Sequence, residues 1–180
     1  MATNNLDIGS SAPSFNLIGI DDKEYSLDSF RDKKALIVIF SCNHCPYVQA
    51  YEDRIIAIQR NYADKDVAVV AINSNEDVNY PDDSFENMKK RARERNFNFH
   101  YLRDEDQSVA RAYDATHTPE IFLFDSNRKL AFHGKIDDNW QEPDQVQDHY
   151  LKDALDELLA GKVISVPETF TIGCTIKWRK

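Results

Sequence analysis

The chain has 180 residues, 42% hydrophobic and 29% charged, an ordinary globular composition and enough length for one well-buried core. A formal net charge of -9 argues against a general nucleic-acid binder, because phosphate contacts need a positive surface. No apolar run approaches the roughly 20 residues of a membrane span, and the opening MATNNLDIGSSAPSF has neither the basic start nor the apolar stretch of a secretory signal.

In chain order, SFNLIG (14–19) and EYSL (24–27) read as a short hairpin around Asp21-Asp22. ALIVIF (35–40) is a continuous apolar run rich in β-branched residues, the pattern of a strand buried on both faces. Val48, Tyr51, Ile55, Ile58 and Tyr62 recur at spacings of three and four and predict a helix, with Gln49, Glu52, Asp53 and Arg60 on its other side. VAVVAI (67–72) is a second buried strand and completes a βαβ unit. Asp83 and Glu86 fit a capping box at the start of a second helix, and a weaker helix covers about 106–113. IFLF (121–124) is a third buried strand, followed by a turn at Asp125-Ser126-Asn127 and a strand in KLAFHGKI (129–136). The last helix carries Leu151, Ala154, Leu155, Leu158 and Leu159 and stops at Gly161. The result is a single α/β domain over 1–180, a central mixed sheet flanked by helices, with an N-terminal hairpin and a patternless C-terminal extension from about 162.

FSCNHCPYV (40–48) concentrates the chemistry. Cys42 follows a buried strand and is expected at the helix N-terminus, where unpaired N–H groups and the helix dipole favour a thiolate. Cys45 falls one turn later, Pro46 suits the first turn, and His44 adds a cationic or hydrogen-bonding neighbour. Three readings are open: a dithiol/disulfide couple, two packed thiols, and part of a metal site. Tetrahedral zinc wants four ligands, or three and water, and the supply is Cys42 and Cys45 with His44, His117 or Cys174. The cytoplasm is the expected compartment, and in a reducing compartment a close cysteine pair is catalytic or metal-binding more often than structural.

The order of hairpin, strand, CxxC helix, strand and THTPEIFLFD (116–125) resembles the thioredoxin superfamily over about residues 8–160. APSFNLIGIDDKEYSLDSFRDKKALIVIF (12–40) resembles its peroxiredoxin, AhpC/TSA and TlpA/ResA branch, and CNHCPYV with the tail GCTIKW is similar to a peroxiredoxin-like redoxin group. The resemblance implies a thiol–disulfide oxidoreductase with Cys42 as nucleophile, Cys45 as resolving thiol and His44 tuning the leaving group. It implies no cofactor beyond the redox-active disulfide. The implied partners are protein or small-molecule disulfides and thiols and an upstream reductase, with neither nucleic acid nor membrane. Thr118 and Pro119 are implied to face the pair across a cis bond and, with Pro46, to shape the docking surface. Alternatives are an antioxidant thiol peroxidase and a metal-carrying protein of the same fold.

The sequence departs from these relatives in several places. Ser41 stands where thioredoxin has Trp, and Ile39 where it has a buried acid; Glu120, His117 and His44 are candidate substitutes for that acid. A histidine before the second cysteine resembles DsbA, whose thiol pKa is about 3.5 against about 7 for thioredoxin. A redox potential above that of thioredoxin is therefore expected. Cys42 occupies the place of the peroxiredoxin hydroxyl, HTPEIFLFD has no arginine, and neither Arg111 nor Arg128 is obviously placed to polarise a peroxide. Cys174 is a candidate third redox residue or a buried strand thiol. KKRARER (89–95) reads as a solvated helix face, Trp140 and Trp178 as packing, and His100 and His133 as polar residues flanking strands.

Overall fold

The computed structural model describes residues 6–180. Its sheet has seven strands: β1 (Asn16–Gly19), β2 (Glu24–Ser26), β3 (Ala35–Ser41), β4 (Val67–Asn73), β5 (His100–Arg103), β7 (Glu120–Phe124) and β8 (Leu130–Gly134). They lie in the order β2-β1-β5-β4-β3-β7-β8. The β3–β4 and β4–β5 pairs are parallel, while the outer strands and β7 run antiparallel to their neighbours. Two short strands, β6 (His117–Thr118) and β9 (Cys174–Thr175), form a separate antiparallel pair. This is the thioredoxin-like fold.

β3 and β4 are buried at all seven positions each, so their unbroken apolar runs serve two cores. On one face Ile37, Ile39, Val69 and Ala71 pack against α1 (Pro46–Tyr62), α2 (Phe85–Arg95) and α4 (Tyr150–Leu159). On the other, Leu36, Val38, Phe40, Val70 and Ile72 meet α3 (Ser108–Ala112) and the N-terminal hairpin. Each fully buried Leu, Ile or Phe contributes roughly 1.5–3 kcal/mol. Among the described residues no helix is long and apolar enough to cross a membrane.

Four expectations are corrected. Glu52, assigned to the outer side of α1, is 1% exposed, because Arg91 of α2 donates two hydrogen bonds to its carboxylate. KKRARER is accordingly not a simple solvated face: Arg91 and Arg95 pair with Glu52, and Lys89 pairs with Asp22. The N-cap of α2 is Ser84, whose hydroxyl accepts from the Asn87 N–H, which leaves Asp83 free to turn inward. His100 and His133 lie within β5 and β8, not beside them. The expected stop of α4 holds: Ala160 is its C-cap and Gly161 takes φ +71°, the left-handed conformation glycine reaches without a Cβ clash.

Candidate active site

β3 ends at Ser41, and α1 starts at Pro46 with Cys45 as its N-cap. Cys42 therefore sits in the connecting loop, one turn further from the helix than its expected place. Pro46 fills the first helical position, where a missing N–H leaves no bond unmade, and it is exposed. The turn folds back so that the Cys45 N–H points at Cys42 Sγ, 3.3 Å away. Across from the pair the Thr118–Pro119 bond is cis. Thr118 Oγ1 lies 3.5 Å from Cys42 Sγ, and the Cys45 thiol reaches Thr118 O at 3.5 Å.

Both sulfurs belong to a small buried cluster with Val48, against which Tyr47 and Cys174 pack. The residues Cys42 and Cys45 are only 3% and 2% exposed. In so confined a place the two thiols titrate as a unit. Whichever ionises first receives a hydrogen bond from the other, and a second charge then has to form beside it. The hydrogen bond from Cys42 lowers Cys45 against the cost of its burial; the thiol and N–H of Cys174 and the Val48 N–H act in the same direction. Cys42 is raised by that same bond, then by burial and by the Asp83 carboxylate. These influences push Cys45 down and Cys42 up, in favour of a charge on Cys45. Moving one proton from Cys42 to Cys45 gives the alternative state, in which the Cys45 N–H and the Thr118 hydroxyl steady a Cys42 thiolate.

Asp83 is the acid that sequence reasoning did not find. Its side chain is fully buried and receives the Asn43 N–H at 2.7 Å, Asn73 Nδ2 at 3.2 Å and Asn75 Nδ2 at 2.9 Å. His44 Nδ1 lies 2.9 Å from Oδ2, the oxygen that also accepts from Asn75, and the half-exposed ring stacks on Tyr80. His44 therefore engages the acid, not the thiols. Asn43 completes the network by accepting from Tyr101 Oη at 2.7 Å and donating to Asp82 O at 2.8 Å. Locally, Asp83 reads as one more helix-capping residue; only the end of β4 at Asn73 and the loop that carries Asn75 beside it give it another place.

Of the other candidate acids, Glu120 turns to Thr116 N at 2.9 Å, His117 N at 3.2 Å and His133 Nε2 at 2.7 Å. His117 Nδ1 bonds the Thr116 hydroxyl. Arg111 stacks on Trp178, and Arg128 is held by the Phe30, Lys33 and Asp125 carbonyls. Trp140 packs on Tyr47, and its carbonyl accepts from Arg54. Among the described residues no group of three or more His, Cys, Asp or Glu side chains is placed to hold a metal ion.

The profile of the Redoxin family matches residues 7–149. The chain belongs to the redoxin family. This redoxin is similar to a hypothetical protein from Sinorhizobium meliloti, at 36% identity over 98% of this chain and 97% of that one, with a TM-score of 0.90. An uncharacterized conserved protein from Geobacillus kaustophilus is 39% identical over 98% of this chain and 94% of that one, with a TM-score of 0.91. The thioredoxin domain of a thiol-disulfide oxidoreductase from Bacteroides vulgatus shares the fold, at 20% identity over 72% of this chain and 89% of that one, with a TM-score of 0.62. No curated protein matches. Membership assigns this redoxin a redox role in general terms, and both 98% matches run into its C-terminal extension.

Proposed function

We propose that the chain is a thiol–disulfide oxidoreductase whose working group is the Cys42–Cys45 dithiol. The observation that carries this reading is the hydrogen bond of 3.3 Å from the Cys45 N–H to Cys42 Sγ. It brings the loop thiol of Cys42 and the N-cap thiol of Cys45 into a pair that shares a single negative charge. A redox couple needs both properties: a thiolate to attack and a second thiol within reach to resolve.

In the reductive direction, Cys42 passes its proton to Cys45 and attacks a substrate disulfide. The substrate S–S bond breaks, a mixed disulfide forms on Cys42, and the first thiolate leaves and takes up the proton that Cys45 holds. Cys45, again a thiolate, then attacks Cys42 Sγ, expels the second substrate thiolate and closes the Cys42–Cys45 bridge. Two electrons have moved from the dithiol to the substrate, and an upstream dithiol reductase restores the pair. Thr118 steadies the Cys42 thiolate with its hydroxyl, and Pro46 and Pro119 border the approach. Run backwards, the same steps oxidise a substrate dithiol.

Titration in glutathione buffers, with alkylation and mass mapping of all three cysteines, tests the reading. Cys42 and Cys45 are expected to oxidise together as one two-electron couple. Their midpoint is expected above the roughly −270 mV of thioredoxin, because the donors around Cys45 stabilise the reduced, charged form. Failure of the two to pair sinks the proposal.

The near-complete burial of both sulfurs favours small electrophiles and supports peroxide reduction as a second reading. A thiolate would then attack the peroxide oxygen, releasing water or an alcohol, and the sulfenic acid would condense with the second thiol to give the disulfide and water. Consumption of hydrogen peroxide at the expense of dithiothreitol, abolished by Cys42→Ser, separates this from disulfide exchange.

A further inference from the structure

Cys174 sits in the middle of a strap that crosses the couple. Upstream, the strap is tied to β8: His133 N–H donates to Pro167 O at 3.0 Å and Thr169 N–H to His133 O at 3.0 Å. Downstream, Ile176 N–H donates to Thr116 O and Lys177 N–H to Asn75 Oδ1, each at 2.9 Å. Gln107, fully buried, donates to Lys177 O and accepts from Arg179 N–H. Between these anchors β9 pairs with β6, Cys174 opposite Thr118. Gly173 comes so close that a Cβ on it would stand 2.0 Å from Thr118 O. The approach is therefore written into the sequence, and it presses Cys174 against the Cys42–Cys45–Val48 cluster. Cys174 is partly exposed, whereas the thiols beneath it are buried.

We propose that Cys174 is a third redox residue, which takes over the disulfide from the oxidised couple. The proposal rests on the Cys42–Cys45 couple proposed above. Starting from the Cys42–Cys45 bridge, Cys174 loses its proton to solvent and its thiolate attacks Cys45 Sγ. A Cys45–Cys174 bond forms, the Cys42–Cys45 bond breaks, and the electron pair leaves on Cys42 Sγ, which takes up a proton. One disulfide and one thiol become another disulfide and another thiol, so neither oxidant nor reductant is consumed. The bridge moves outward to a sulfur that solvent touches, where the thiol of an external reductant reaches it.

The state of the couple gates this exchange. In the reduced pair, burial and then the hydrogen bond and negative charge of Cys45 hold the Cys174 thiol up at about 11. Once Cys45 is in a disulfide its charge is gone, the like-charge opposition with it, and the Cys174 thiolate forms more readily. The third thiol is quiet while the pair is reduced and becomes nucleophilic when the pair is oxidised.

The experiment is disulfide mapping under non-reducing conditions after treatment with oxidised glutathione, in wild type, Cys42→Ser and Cys174→Ser. Cys174→Ser is expected to close Cys42–Cys45. Cys42→Ser is expected to close Cys45–Cys174 and to carry at least tenfold less bound glutathione than the Cys42→Ser/Cys174→Ser double variant, since the tethered thiol outcompetes the free one. Oxidised wild type is expected to hold both bridges in a ratio independent of oxidant concentration, a readout that mere packing of Cys174 does not produce. If Cys174→Ser closes its bridge while Cys42→Ser accumulates glutathione on Cys45 and Cys174, the third-residue proposal is overturned and the couple stands. If Cys174→Ser also fails to close, both readings fall.

Discussion

Asp83 Oδ1 accepts a hydrogen bond of 2.7 Å from the N–H of Asn43, the residue that follows Cys42. One buried carboxylate thereby holds the loop between the cysteines and opposes negative charge on Cys42. The Asp83→Asn variant is expected to keep the loop, because the amide oxygen still accepts the Asn43 N–H. It removes the charge, so the Cys42 thiol pKa falls. A drop of about one pH unit is a tenfold gain in thiolate at a given pH below it, readable as thiolate absorbance during pH titration and as faster alkylation. The new amide NH₂ takes the place of Oδ2 and meets the Asn75 amide donor and His44 Nδ1, at a cost of about 1–3 kcal/mol in unfolding free energy. An unchanged titration would remove Asp83 from the site.

Gly173→Ala is expected to lift β9 from β6, because its Cβ would overlap the Thr118 carbonyl. The couple loses its cover while both sheet cores stay intact. Alkylation of Cys42 and Cys45 should accelerate roughly tenfold with little change in Tm, as expected when one local segment opens without the global fold. Equal alkylation rates in wild type and variant would show that the strap does not control access.

Arg91→Ala leaves the Glu52 carboxylate in α1 buried with only Arg95 Nε, 3.6 Å away, for a partner. Breaking a buried ion pair from one side costs about 3–5 kcal/mol. Arg91 is itself 24% exposed and Arg95 remains, so about 2 kcal/mol is expected. Urea unfolding measures it, and Glu52→Gln in the same background should recover part of the loss by removing the stranded charge.

His133 supplies a pH dependence of known sign. Burial opposes its charge, but the hydrogen bond and carboxylate of Glu120, and then those of Glu168, outweigh burial and raise the ring's pKa above its ordinary value. A group raised in the folded state contributes stability fully below its unfolded pKa, about 6.5, and loses it as the pH rises through the folded value. Wild type should therefore exceed His133→Gln in stability most at pH 5.5, and the difference should shrink towards pH 8.5. Urea unfolding at the two pH values decides; a difference that grows with pH would contradict the assignment.

Much of this molecule was legible from local pattern. The buried runs 35–40, 67–72 and 121–124, the α1 stripe and the Gly161 stop all appear at their expected places, because period and capping are properties of neighbours in sequence. CxxC after a buried strand pointed to redox chemistry, and Thr118-Pro119 was placed opposite it by resemblance. What escaped were relations between residues far apart in the chain. Glu52 looks like a surface residue until α2 brings Arg91 beside it. Asp83 looks like a helix cap until Asn73 at the end of β4 and Asn75 in the loop beyond it come beside it. Part of the push that lowers the Cys45 thiol comes from Cys174, which lies more than a hundred residues away. By itself the sequence determined which segments become strands and helices and which residues are nucleophilic, since both follow from side-chain type and local spacing. Only the tertiary structure decided which carboxylate faces Cys42, in which direction each thiol is pushed and what covers the pair. Burial, hydrogen-bond partners and charge separation are set by distance in space.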